Sequence, residues 1–151
     1  MDENGDDIVF LNHAIAAAEV GSSEGGVPIG AALVIDGKLI GTGYNKRVQM
    51  NSAIRHGETD CLENVGRLPG SAYKRATMYT TLSPCHMCTG AILLYGIPRV
   101  VIGENETFKG AEDLLRSKGV EVVNINSQRC KDLMCRFIKE KPDIWNEDIG
   151  V

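Results

Sequence analysis

The sequence has no apolar run long enough to cross a bilayer and no positively charged start followed by an apolar stretch. We therefore expect neither a membrane span nor a secretory signal. It also lacks an excess of basic residues, since 16 Lys and Arg stand against 20 Asp and Glu, a formal net charge of −4. This balance argues against a protein that binds phosphate backbones through a broad basic surface. We expect a small-molecule ligand and no nucleic-acid or membrane partner.

No internal repeat or low-complexity stretch is present. A chain of 151 residues, 43% of them hydrophobic, suits one compact domain with its own core, and we expect a single domain over residues 1–151.

Paired cysteines are lacking too, because Cys61, Cys130 and Cys135 show no paired pattern. Unpaired cysteines are typical of a reducing compartment and of core positions. The expected location is the cytoplasm, with the nucleus left open as a further compartment.

Apolar periodicity and turn residues predict the order of helices and strands. Ile8, Leu11, Ile15 and Ala18 recur at helical spacing, which predicts a first helix ending near Gly21. Asp36-Gly37, between apolar segments 29–35 and 38–43, is a strong signal for a two-residue hairpin turn. The other predicted elements are a helix over 56–65, a strand over 77–81, a helix opened by Pro84, a strand over 99–102, a helix over 112–118, a strand over 120–125 and a helix over 127–139 that ends before Pro142.

The alternation of strands and helices after residue 77 predicts right-handed crossover units, whose strands are parallel. Together with the hairpin, these units predict an α/β fold: a three-layer α/β/α sandwich around a five-stranded mixed sheet with three parallel strands. Ligands of such sheets bind beyond the carboxyl ends of the parallel strands. Residues 81–85 lie at such a position, between a predicted strand and a predicted helix. We therefore expect the pocket there.

Two short motifs, His56-Gly57-Glu58 and Ser83-Pro84-Cys85-His86-Met87-Cys88, supply metal ligands and a carboxylate. One imidazole and two thiolates suit Zn²⁺, and three protein ligands leave the fourth position to water, as in catalytic sites. If Pro84 opens a helix with Ser83 as its N-cap, both cysteines project from one face of the first turn. The helix dipole favours thiolates there. The motifs predict one Zn²⁺ per chain, held by His56, Cys85 and Cys88.

Glu58 is predicted to be the catalytic acid and base. Positions two apart on a helix point in different directions, so Glu58 can stay free of the metal that His56 binds. H-x-E followed by P-C-x-x-C is the signature of zinc nucleobase deaminases, in which the glutamate lies outside the coordination sphere. A structural zinc site is the alternative and would need a fourth ligand. His86 is the nearest candidate for it, whereas His13 is expected to be an ordinary surface or packing histidine.

The sequence resembles fungal-type cytosine deaminases over nearly its entire length. The matching segments are residues 24–30, 56–58, 82–85, 87–92, 96–99, 103–105 and 145–150. The broader cytidine and deoxycytidylate deaminase superfamily does not share the last of these segments, so it is the most specific part of the resemblance. The resemblance implies a dimeric zinc enzyme of pyrimidine salvage that hydrolyses free cytosine to uracil and ammonia. In the implied mechanism, a zinc-bound hydroxide adds to C4 while Glu58 carries protons to N3 and the exocyclic nitrogen.

The resemblance also implies the residues that contact the substrate. They are the amide of Asn45 at the O2 and ring-nitrogen edge, the rings of Phe108 and Trp145, the carboxylate of Asp148, apolar walls from Ile29 and Leu82, the N–H of Gly57 and the C=O of Ser83. Trp145 and Asp148 follow the final predicted helix and must fold back to reach a pocket. We therefore expect the segment 142–151 to act as a lid.

Three other functions stay open at this point. A tRNA adenosine deaminase has a similar cysteine helix but needs a basic face for RNA. Deamination of cytidine or guanine on the same fold is the second possibility. The third is a non-enzyme, either a structural or metal-storing zinc protein or a deaminase-like partner subunit without activity. The presence of Glu58 argues against the third, because a closed structural site has no use for a free acid.

Overall fold

The computed structural model describes residues 3–151, which form a five-stranded sheet with helices on both faces. The strands are β1 Gly30–Ile35, β2 Lys38–Tyr44, β3 Ala76–Thr80, β4 Arg99–Ile102 and β5 Glu121–Asn124. The helices are α1 Glu3–Ser23, α2 Arg47–Met50, α3 Gly57–Val65, α4 Gly70–Tyr73, α5 His86–Tyr95, α6 Glu112–Ser117, α7 Gln128–Glu140 and α8 Pro142–Asp148. Among these described helices, none is long and apolar enough to span a bilayer.

The sheet has the order β2-β1-β3-β4-β5 and confirms the predicted mixture of pairings. β1 runs antiparallel to both β2 and β3, while β3, β4 and β5 are parallel. The hairpin turn is also as predicted, since Asp36 and Gly37 have φ of 51° and 77°, the left-handed values that such a turn needs. Because Ala31 pairs with Thr80, the start of β1 lies at the same edge of the sheet as the carboxyl end of β3.

Alternate residues of β1 face two different layers of helices. Ala31, Leu33 and Ile35 share a buried cluster with residues of α3, α5 and α6. Ala32 and Val34 share another with residues of α1 and α7. This alternation is the period of two that a strand buried on both faces must have. It confirms the predicted three-layer α/β/α sandwich.

The cysteine helix begins later than predicted. Cys85 is the N-cap of α5, so Ser83 is not the N-cap and Pro84 does not open the helix. The Ser83 hydroxyl instead donates to Glu112 Oε2 at 2.6 Å and accepts from the Gly110 N–H at 2.9 Å. These partners lie 27 and 29 residues away in the sequence, which is why a local capping pattern could not reveal them. Cys85 and Cys88 still belong to one helical turn.

The helix α7 ends before Pro142, as predicted, with Lys141 as its C-cap. The prediction did not foresee that Pro142 also begins a new helix: it occupies the first turn of α8, where a missing N–H costs no helical hydrogen bond. Most of the segment 142–151, predicted to be a tail that acts as a lid, is therefore a helix. Elsewhere the predicted boundaries shift by one or two residues, as at α3, where His56 is the N-cap. The short helices α2 and α4 have no counterpart in the sequence prediction.

Two predicted core positions are wrong. Ile8 is 51% exposed, because its turn of α1 buries Asp7, which pairs with both terminal nitrogens of Arg99 at 2.7 Å. Cys135 is exposed on α7, whereas Cys61 and Cys130 are buried as expected. The buried ion pair between Asp7 and Arg99 thus takes the place of the apolar contact that periodicity predicted for Ile8.

Candidate active site

The three predicted metal ligands converge where α3 and α5 begin. His56 Nδ1 lies 3.5 Å from Cys85 Sγ and 3.8 Å from Cys88 Sγ, and the three donor atoms lie within 4.8 Å of one another. A tetrahedral zinc with bonds of about 2.3 Å to sulfur and about 2.0 Å to nitrogen holds its ligands at comparable separations. Chemistry and spacing therefore fit Zn²⁺. In the described part of the chain no fourth side chain joins this group, and His86 is exposed, so the structure does not support His86 as a ligand.

Both helix starts help to place these ligands. His56 and Cys85 are the N-caps of α3 and α5, so each adjoins the free N–H groups of a first helical turn. The Thr59 hydroxyl accepts a hydrogen bond from the His56 N–H at 2.9 Å and fixes that cap. A hydrogen bond from Cys88 lowers the pKa of the Cys85 thiol to about 4, although burial opposes this shift. Cys85 is thus poised as a thiolate, the form that binds metal.

Glu58 lies beside the ligands without joining them. Its side chain lines the same cavity as His56 and Cys85, and the residue is only 3% exposed. Burial raises the pKa of Glu58 to about 7. A carboxyl group with such a pKa can both take up and release a proton near neutrality, as a general acid and base must.

The cavity beside the metal ligands is walled by residues from five parts of the chain. Its lining consists of Ile29, His56, Glu58, Leu82, Ser83, Cys85, Phe108, Trp145, Asp148 and Ile149. The rings of Phe108 and Trp145 meet edge to face, with centroids 6.1 Å apart. Aromatic and apolar walls with a few polar groups between them suit a flat, polar-edged ring.

All the predicted substrate contacts line this cavity except Asn45 and Gly57. Asn45 is fully buried; its Nδ2 donates to Asp148 Oδ1 at 2.7 Å, and its Oδ1 accepts from the Arg47 N–H at 3.1 Å. Its amide keeps one N–H and one lone pair for a ligand. Gly57 packs so closely on the chain that an added Cβ would lie 3.1 Å from the Ile29 carbonyl oxygen. The substrate contacts of both residues stay predictions.

Asp148 connects α8 to the metal ligands. Its Oδ1 lies 3.7 Å from His56 Nε2, on the opposite side of the ring from the cysteines, and 3.9 Å from Arg47 Nη1. Burial raises the pKa of Asp148, and the nearby His56 opposes that rise. A carboxylate facing the second nitrogen of a metal-binding histidine commonly orients its ring.

Sequence reasoning missed Ile149, which lines the cavity from just beyond α8. Ile149 follows Trp145 by four residues, the spacing at which two side chains share one face of a helix. Recognising the tail as helical would have identified it. Arg47 was also missed, because nothing in the sequence indicates that its side chain approaches a residue about a hundred positions away.

Comparison with known proteins shows a family of zinc-binding deaminases. The profile of the family described as "Cytidine and deoxycytidylate deaminase zinc-binding region" matches residues 5–104. The chain is 60% identical to cytosine deaminase of Candida albicans over 96% of its length and 97% of the relative's. It is 33% identical to tRNA-specific adenosine deaminase of Streptococcus pyogenes serotype M18, over 87% and 89% of the two chains. A solved structure from work on A-to-I editing by tRNA:A34 deaminases superposes with a TM-score of 0.72 at 26% identity, covering 83% of this chain and 99% of the other.

Proposed function

Because the chain belongs to the cytidine and deoxycytidylate deaminase zinc-binding family, we propose that it hydrolyses free cytosine to uracil and ammonia in pyrimidine salvage. The observation that carries this choice of substrate is the 60% identity to a cytosine deaminase over nearly the full length of both chains. A small cavity walled by aromatic and apolar side chains supports it, since a free pyrimidine is one flat ring.

Glu58 performs the proton transfers in this reaction. When bound, zinc acts as a Lewis acid that lowers the pKa of water in the site. Glu58 takes one proton from the attacking water and delivers it to N3 while the oxygen bonds to C4. The remaining hydroxyl proton then passes through Glu58 to the exocyclic nitrogen. The C4–N bond breaks, ammonia leaves and the C4 carbonyl of uracil forms.

The other cavity residues orient the base. Phe108 and Trp145 present ring surfaces, and Ile29 and Leu82 present apolar ones, so the pyrimidine faces are desolvated on binding. Asp148 accepts a hydrogen bond from the exocyclic amine, and the free N–H and lone pair of Asn45 bind the O2 edge. A base that lacks the amine makes one hydrogen bond fewer to this buried carboxylate, which weakens its binding.

Deamination of adenosine in tRNA is the second candidate, because several relatives at about one-third identity carry that name. The net charge of −4 and a cavity walled in part by α8 disfavour an RNA substrate. A substrate screen decides between them: the zinc-loaded protein is incubated with cytosine, cytidine, guanine and tRNA, with and without a chelator. We expect uracil and ammonia from cytosine alone, and no product with chelator. Inosine in tRNA without turnover of cytosine would reverse the assignment.

We further propose that the enzyme is a homodimer in which the outer face of α5 contacts a second copy. Met87, Leu94 and Tyr95 are 36%, 76% and 43% exposed on this face. Gly90 and Ala91 lie between them at helical spacing, and such small residues let another helix approach closely. Exposed apolar side chains that form one stripe are typical of a protein interface.

A further inference from the structure

Asp60 is a buried carboxylate that the deamination chemistry does not use. It lies on α3, two residues after Glu58, is fully buried and is not part of the cavity wall. Four groups donate hydrogen bonds to it: the Tyr44 N–H at 3.0 Å, Lys46 Nζ at 3.2 Å, Arg55 Nε at 2.8 Å and Asn64 Nδ2 at 3.3 Å. Two of these donors are cations, so one anion serves two partly exposed positive side chains.

The donors come from chain segments that each carry a site residue. Tyr44 and Lys46 flank Asn45 in the sequence, and Arg55 directly precedes His56. The backbone supports the same junction, because the Lys46 N–H donates to the Arg55 carbonyl at 2.9 Å. Through Asp60, the segment bearing Asn45 is tied to the helix that bears Glu58 and to the chain that enters at His56.

β2 and α3 pack closely where Asp60 joins them. A Cβ on Gly43 would lie 2.2 Å from the Cys61 backbone nitrogen, so β2 runs directly against the first turns of α3. Lys46 Nζ also lies 4.5 Å from the centre of the Tyr44 ring, a cation–π contact that holds the lysine over the strand end. A neutral residue in place of Asp60 would remove the anion that Lys46 and Arg55 share, and their positive charges would repel each other.

We propose that Asp60 is a positioning residue that sets the distance between the base-binding edge at Asn45 and the metal centre at His56 and Glu58. The proposal rests on the proposed function, since Asn45 contacts a substrate only if the ligand is a base of this kind. Displacing a substrate-positioning group by about 1 Å can lower a rate by about 100-fold. Losing Asp60 should therefore weaken substrate use far more than it weakens metal binding.

The test compares Asp60→Asn with Asp7→Asn. Asp7 is a matched control, because it is 1% exposed and is also bound by a cation, Arg99, yet it lies on α1 and does not line the cavity. We expect both variants to melt at lower temperature and to retain about one zinc per chain. Asp60→Asn should lower kcat/KM for cytosine by about 100-fold, mainly through KM, whereas Asp7→Asn should change it less than about threefold. Equal changes in the two variants would reduce Asp60 to a structural role and overturn the proposal.

Two further measurements keep the test decisive. If Asp60→Asn does not fold, Lys46→Met and Arg55→Met replace the partly exposed partners, and each should raise KM without loss of zinc; an unchanged KM in both contradicts the proposal. A crystal structure of Asp60→Asn gives a readout that needs no substrate, since Asn45 should shift relative to His56. Absence of cytosine turnover by the wild-type protein would refute the proposed function. An Asn45 that keeps its position relative to His56 in Asp60→Asn would refute the role of Asp60.

Discussion

The Asn45 side chain donates a hydrogen bond from Nδ2 to Oδ1 of Asp148 over 2.7 Å, between residues 103 positions apart in the chain. Both residues are buried, and the bond joins the end of β2 to α8 across the metal centre. Asp148 also faces His56. One carboxylate on α8 therefore lies next to both a predicted base-binding amide and a metal ligand.

Replacing Asp148 with alanine should destabilise the protein by about 1–3 kcal/mol, because the Asn45 amide is left buried with an unpaired donor. Urea unfolding at neutral pH measures the change. Glu147→Ala is the control, since Glu147 is exposed on the same helix and should change stability by less than about 0.5 kcal/mol. Similar losses in both variants would mean that the bond contributes little.

Glu58→Gln should retain zinc and lose turnover by about 10²–10⁴-fold or more, because an amide of the same shape cannot carry protons. Zinc is measured by elemental analysis and turnover by ammonia release from cytosine. Glu63→Gln, on the exposed side of the same helix, should behave as the wild type. Near-normal turnover of Glu58→Gln would remove Glu58 from the mechanism.

Cys85→Ser should lose most of its zinc and its activity, because a serine hydroxyl is a poor substitute for a thiolate ligand. The exposed Cys135 provides the comparison, and Cys135→Ser should keep one zinc per chain. Dialysis of the wild type against a chelator should abolish activity, and added Zn²⁺ should restore it. Full activity of the metal-free protein is the result that this prediction forbids.

Acid should destabilise the protein in part through Asp7. Burial acts to raise the pKa of Asp7, but hydrogen bonds from Arg99 and Tyr79 outweigh it, and the pKa lies below the ordinary 3.8. A lowered carboxyl pKa contributes stability that is present above about pH 4 and is lost as pH falls through the folded-state value. Asp7→Asn should therefore be less stable than the wild type at pH 7 and lose less stability between pH 4 and pH 2. Parallel pH profiles in urea unfolding would contradict this.

Leu94→Glu should convert the proposed homodimer into a monomer, because a charge at the centre of the proposed apolar interface cannot be buried without a partner. Light scattering coupled to size exclusion gives the mass. Ile8→Glu changes a comparably exposed apolar residue on α1 and should leave the dimer intact. A dimer that survives Leu94→Glu places the interface on another face.

The sequence predicts those features that depend on neighbours along the chain. The 3.6 and 2.0 periodicities identify the layers, the Asp36-Gly37 turn identifies the hairpin, and the two motifs supply the metal ligands. What it misses depends on contacts between distant segments. Ser83 binds Glu112 instead of capping a helix, and the donors to Asp60 come mostly from other segments. No local pattern can reveal such partners before the fold is known.

Pro142 shows that a local sequence signal can be compatible with more than one structure. Pro142 is compatible both with the end of one helix and with the first turn of another. The structure has both, since α7 ends at Glu140 and α8 begins at Pro142, and burial of Trp145 in the cluster that contains Ile29, Leu82 and Phe137 favours the second helix. Tertiary packing, and not propensity, decides the structure of this segment.

Trp145 is 7% exposed and belongs at once to an apolar cluster and to the wall of the cavity. The predicted lid movement of α8 would loosen packing that also contributes to the melting temperature. Substitutions that fill space around this indole should give a more heat-resistant but slower catalyst. Substitutions meant to raise thermal stability without this loss of rate should be made on the opposite face of the sheet, under α1.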